Sequence, residues 1–92
     1  MPDMGGGMVG LGRAIAERRR AIGKTQEDLA YEAELSLRHL QKIEAGQTYP
    51  RLTTLLSVAA VLRTKAQRLL DRCEEIQRAG ERHDKAKRPR QS

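Results

Sequence analysis

The sequence predicts an all-α fold of five helices, and three observations carry that prediction. Apolar residues recur at three- and four-residue steps in five successive stretches. Gly23, Gly46 and Gly80 each follow one such stretch, where a helix is closed by a residue with left-handed backbone. The chain is 38% apolar over 92 residues with no Trp, no Phe and two Tyr, so one modest core must be filled by Leu, Ile, Val and Ala, as in a small helical bundle.

Residues 1–8, MPDMGGGM, hold three consecutive glycines and nothing to pack, and are expected to be a disordered leader. A helix-turn-helix domain with a C-terminal fifth helix then spans 9–79. The first helix covers about 10–22, where Leu11, Ile15 and Ile22 share a face with the stem of Arg18 or Arg19, and Gly23 closes it. Arg13, Glu17 and Arg20 on its other side read as a solvated face. Thr25 is an N-cap with Asp28 three positions on, a capping box with the shorter acid, and Ser36 is a second N-cap eleven residues later. That spacing leaves room for one short helix over 26–33, a bend, and another helix over 36–45. Leu29, Ala30 and Ala33 stripe the first of these and Leu35, Leu40 and Ile43 the second, so both face one core, a helix-turn-helix arrangement. Tyr31 reads as packing at the core edge. Glu34 falls where the chain must turn sharply, and a positive φ there costs a β-carbon residue about 1 kcal/mol.

Pro50 suits the first turn of a fourth helix over 51–62, striped by Leu52, Leu55, Leu56, Ala59 and Leu62. Ala66, Leu69, Leu70, Cys73 and Ile76 stripe a fifth over 65–79, which Gly80 ends. Residues 80–92 lack apolar periodicity and read as a disordered basic tail. Its Lys85, Lys87, Arg88 and Arg90 have two readings, nonspecific phosphate contact and a solubilising tail.

The third helix has an unusual charge distribution. No acid falls between Leu35 and Ile43, whereas Arg38, His39, Gln41 and Lys42 do; the second helix instead carries Glu27, Asp28, Glu32 and Glu34. With Leu40 and Ile43 inward, the helical step turns Leu37, Arg38, Gln41 and Lys42 toward solvent or a flank. A cationic, amide-bearing face suits a polyanion rich in hydrogen-bonding groups, and the major groove of DNA is one. The net charge of +6 and pI near 10.1 agree with a polyanionic partner. One cysteine excludes an intramolecular disulfide, no run approaches the roughly 20 apolar residues of a membrane span, and the start lacks a secretory signal, so a cytoplasmic, nucleoid setting is expected. Two histidines, one cysteine and scattered carboxylates give no metal-ligand spacing, no nucleophile beside a base and no phosphate-cradling loop. No enzyme activity, metal or cofactor is expected.

TQEDLA at 25–30, followed by Leu35-Ser36, then IEAG at 43–46 with Pro50 four residues beyond, resembles the Cro/CI-type, or XRE, family of helix-turn-helix regulators over about residues 10–62. The resemblance implies a lambda-repressor-like DNA-binding domain whose recognition helix is 36–45. It implies base reading by Leu37, Arg38 and Lys42, with Gln41 and His39 nearby. It implies backbone contacts from Gln26, Ser36, Thr48, Tyr49 and Arg51, and a structural ion pair between Arg19 and Glu44. Leu37 keeps two readings, contact with a thymine methyl and cover for the core edge. Glu34 departs from the family's usual glycine at the turn.

The function so implied is a sequence-specific transcriptional regulator acting on double-stranded DNA as a homodimer on a palindromic operator. The stripe Leu69, Leu70, Cys73 and Ile76 is longer than a four-helix core requires and is expected to form the dimer interface. The alternative is an antitoxin or adaptor whose fifth helix binds a protein partner, with DNA binding secondary.

Overall fold

The computed structural model describes the backbone of residues 4–87 and the side chains of 7–80. It holds α1 (Met4–Ala21), α2 (Gln26–Glu32), α3 (Leu37–Glu44), α4 (Leu52–Val61) and α5 (Ala66–Lys87), with no strand among the described residues. The three central helices match the expected spans to within a residue at each end. The capping box closes as the sequence suggests: Thr25 Oγ1 accepts from the Asp28 N–H at 3.0 Å, and the Thr25 N–H donates to Asp28 Oδ2 at 3.0 Å. Glu34 lies at φ 59°, the left-handed turn expected of it.

Ile15, Leu29, Leu40, Ile43, Val58 and Leu62 are fully buried, so all four N-terminal helices contribute to one aliphatic core that α5 closes with Leu69 and Cys73. Arg18 joins α1 to the end of α4, donating through Nε to the Leu62 carbonyl at 2.9 Å and through Nη2 to the Arg63 carbonyl at 3.0 Å. Arg63 is the second non-glycine residue at positive φ, 57°, and terminates α4 as a glycine ordinarily would.

Helix α1 begins at Met4, not near residue 10, so most of the expected leader is helical backbone. Its early turns lie on α5: the Cys73 thiol donates to the Gly7 carbonyl at 3.4 Å, and Gly10 lies directly against Cys73. Helix α5 runs past Gly80 to Lys87, because a glycine with nothing against it can stay helical at a modest propensity cost. Residues 1–3 of the expected leader, and the side chains of the expected tail with its Lys85, Lys87, Arg88 and Arg90, lie outside what is described. Leu69 and Cys73 are buried in the chain's own core and cannot form a dimer interface. Of that expected set Ile76 is half-buried and Leu70 is exposed. Tyr31 is 85% exposed and is not core-edge packing, because Leu29, Ala30 and Ala33 take the inward face of α2 and its ring falls outside it. On α4 the core takes Leu55, Val58 and Ala59, leaving Leu52 and Leu56 at 70% and 52% exposure.

Candidate nucleic-acid interface

Helix α3 starts at Ser36, whose extended backbone and side chain cap it: Ser36 Oγ accepts from the His39 N–H at 3.0 Å. That bond uses one lone pair of the hydroxyl and leaves its O–H free to donate outward. Leu40 and Ile43 are wholly buried. Arg38, Gln41 and Lys42 are exposed, while Leu37 and His39 are half-buried on the flanks. The first turn carries no acid, and among the described residues neither Arg38 nor Lys42 has an ion-pair partner. The outer side of α3 is therefore a cationic ridge with an amide in it.

Beneath the ridge lies a polar lock. Arg19 is buried and grips Glu44 with two bonds, Nε to Oε2 at 2.8 Å and Nη2 to Oε1 at 3.0 Å, while its Nη1 donates to the Lys24 carbonyl at 2.9 Å. Gln26 Nε2 donates to the same Glu44 Oε1 at 2.9 Å. The hydrogen bond to Glu44 raises the Arg19 pKa against the opposing effect of burial, so the guanidinium stays charged. This lock ties α1, the first residue of α2 and the last residue of α3 into one unit. Gln26 spends one amide hydrogen on it and keeps a second, together with the backbone N–H of a helix start, for another acceptor.

The remaining expected backbone contacts are less alike. Thr48 is half-buried, and its hydroxyl donates to the Tyr49 carbonyl at 3.4 Å. Tyr49 stands partly exposed, and its hydroxyl sits so near Gly7 that a side chain there would strike it, which ties the α3–α4 loop to the start of α1. Arg51 is exposed at the N-cap of α4 without a side-chain capping bond.

Sequence reasoning placed Arg13 and Arg20 on a merely solvated face. In the structure they line an open groove with Glu17, Gln26, Gln41 and Glu44, between α1 and the paired helices α2 and α3. The signal available was their seven-residue spacing, which puts two arginines on one side of α1; what they face depends on how α1 docks. No group of His, Cys, Asp and Glu that could hold a metal is found among the described residues, and no described helix is long and apolar enough to cross a membrane.

A family model described as helix-turn-helix matches residues 15–69. Among solved structures, the clp gene regulator ClgR from Corynebacterium glutamicum shares the fold with a TM-score of 0.85 at 21% identity, covering 87% of this chain and 85% of that one. The restriction-modification controller protein C.AhdI from Aeromonas hydrophila matches with a TM-score of 0.66 at 31% identity, covering 67% of this chain and 94% of that one. No curated protein matches the sequence.

Proposed function

Because this chain belongs to the XRE-type helix-turn-helix family of DNA-binding transcriptional regulators, we propose that it selects one operator sequence by laying α3 in the major groove, and that it acts as a homodimer on a palindrome. The observation that carries this reading is the outer side of α3, with Arg38, Gln41 and Lys42 exposed above a fully buried Leu40 and Ile43. Arginine and lysine suit the guanine O6 and N7 acceptors, glutamine suits adenine N6 and N7, and Leu37 is placed for a thymine methyl, with His39 on the flank. The free O–H of Ser36, the second amide hydrogen of Gln26 and the guanidinium of Arg51 are offered to phosphates, with Thr48 and Tyr49 in the adjoining loop. These contacts fix register, and the α3 side chains supply sequence preference.

The homodimer draws its support from α4. Leu52 and Leu56 are exposed one turn apart, and no charged residue occurs from Leu52 to Leu62. Two copies of a chain carrying +6 repel wherever their arginines and lysines meet, and this side of α4 can meet itself without that cost. The dimer contact is therefore assigned to α4, with the exposed Leu70 of α5 as the residue that remains of the stripe read from sequence. The nucleoid is where such a protein acts.

Selection of bound duplexes from a random pool tests both parts. The expected product is an inverted repeat whose half-sites lie about 34 Å apart, one helical turn. Enrichment of no sequence would refute specific reading, and enrichment of a lone half-site would refute the dimer.

A further inference from the structure

We propose that α1 supplies a second bank of DNA-backbone contacts, in which Arg13 and Arg20 hold phosphates of the strand that runs past Gln26 and Gln41. The inference rests on the reading that α3 enters the major groove. Arg13, Glu17 and Arg20 of α1 form one wall of an open groove, and Gln26, Gln41 and Glu44 form the other. Gln26 and Gln41 belong to the surface offered to DNA, so the groove is continuous with that surface and is not a separate site.

Its electrostatics follow from which charges are already satisfied. Glu44 is neutralised by Arg19 within the buried lock. Glu17 is gripped by Arg72 of α5, Nε to Oε1 at 2.8 Å and Nη2 to Oε2 at 3.1 Å, and that bond, with smaller contributions from Arg13 and Arg20, lowers its pKa. Both carboxylates in the groove thus have an arginine outside its cationic pair. Arg13 and Arg20 are exposed and make no hydrogen bond or ion pair with the described residues, so two guanidinium groups face the groove with their donors unspent.

Two unspent forks two helical turns apart on one face match a run of phosphates better than a single small anion. A strand bordering the major groove presents such a run. When α3 lies between the strands, the flank bearing Gln41 faces one of them, and Gln26 at the start of α2 meets the same one. The α1 arginines extend that line of contacts by the length of their side chains. Such contacts add affinity without sequence preference.

The test reads salt dependence, on the full chain. Arg13→Gln/Arg20→Gln is measured by fluorescence anisotropy on a random-sequence duplex and on the selected operator. The slope of log K against log salt is expected to become shallower by about 1.8, since each phosphate contact contributes about 0.9, and by the same amount on both duplexes. Arg68→Gln/Arg78→Gln on the exposed face of α5 is the matched-charge control, expected to leave the slope unchanged. Arg13→Lys/Arg20→Lys should keep it as well, because the charge remains. An unchanged slope in the groove variant, or an equal drop in the α5 variant, overturns the proposal. The random-duplex arm needs no operator, so the groove stands or falls there even if no sequence is ever selected, and a selected operator with an unchanged slope would refute the groove alone.

Discussion

Among single residues, Glu44 organises the proposed interface from beneath. Its carboxylate holds Arg19 and Gln26 together, and the ion pair is shielded, with side-chain exposures of 9% and 5% for Arg19 and Glu44. Removing one partner strands the other charge in a poorly solvated place, so Glu44→Ala should destabilise the fold by about 3–5 kcal/mol, measured by urea unfolding. Arg38→Ala and Lys42→Ala should behave in the opposite way. Both residues are exposed and unpaired, so stability should move by no more than about 0.5 kcal/mol. Their cost should appear in binding instead, about 1–3 kcal/mol on the selected operator with relaxed preference at one base position. Equal loss on every sequence would make the residue a phosphate contact. The carboxylates also set an acid limit. The Thr25 N–H beside Asp28 and the Arg72 guanidinium beside Glu17 hold both groups below their ordinary values of 3.8 and 4.5. As pH falls the unfolded chain takes up these protons first, so their stabilisation is complete above about pH 5 and is lost as pH falls through the depressed folded values. Melting temperature should be level near neutrality and fall below about pH 4, and Asp28→Asn should shrink that fall while lowering the plateau.

Individual helices differ in how much of them the sequence exposed. The paired helices α2 and α3 were legible to within a residue, because caps at Thr25 and Ser36 and the inward run Leu29, Leu40, Ile43 all state the same geometry locally. The ends of α1 and α5 were not, because what decides them is tertiary. Three consecutive glycines read as a leader, yet Gly7 and Gly10 let α1 lie close on Tyr49 and Cys73, where a side chain would intrude. The extra turns of α1 in turn cover Cys73, which is why a stripe that looked surplus on paper is partly core. Gly12 is the sharpest case. A β-carbon there would strike the Ile43 carbonyl oxygen and come within 2.7 Å of that of Glu44, both backbone atoms at the end of α3. On helix propensity alone Gly12→Ala should gain about 1 kcal/mol. The clash reverses the sign: α1 must lift off α3, and the variant should melt lower, with weaker operator binding because the Arg19–Glu44 lock opens. A higher melting temperature would show that the helices separate freely. At Glu34, by contrast, the strain is local, so Glu34→Gly should stabilise the turn by up to about 1 kcal/mol without altering the recognition surface.

For the molecule as a whole, the proposed dimer needs a face on which two copies can meet. The sequence pointed to α5, but burial of Leu69 and Cys73 removes half of that face, and the most exposed aliphatic side chains among the described residues are Leu52 and Leu56 on α4. Leu56 points away because Leu55, Val58 and Ala59 fill the inward side of a ten-residue helix, whereas Leu52, seven residues before Ala59 and so on the same side as it, is exposed as the first residue of the helix. A strip this short covers far less than the roughly 800 Å² per partner of a standard interface, so the free dimer should be weak. A palindrome changes the balance, because the first bound copy presents its α4 to the second at high effective concentration. Sedimentation should therefore show mostly monomer at low micromolar protein and a two-to-one complex on a palindromic duplex, formed cooperatively. Leu52→Glu/Leu56→Glu puts two carboxylates on each side of the contact and disturbs no buried residue. It should keep the melting temperature and the affinity for a single half-site while abolishing cooperativity on the palindrome. Retained cooperativity would place the contact elsewhere, and its loss in Leu70→Glu instead would return it to the outer face of α5. Loss of half-site affinity in the α4 variant would mean that α4 supports the recognition helix and not a second copy.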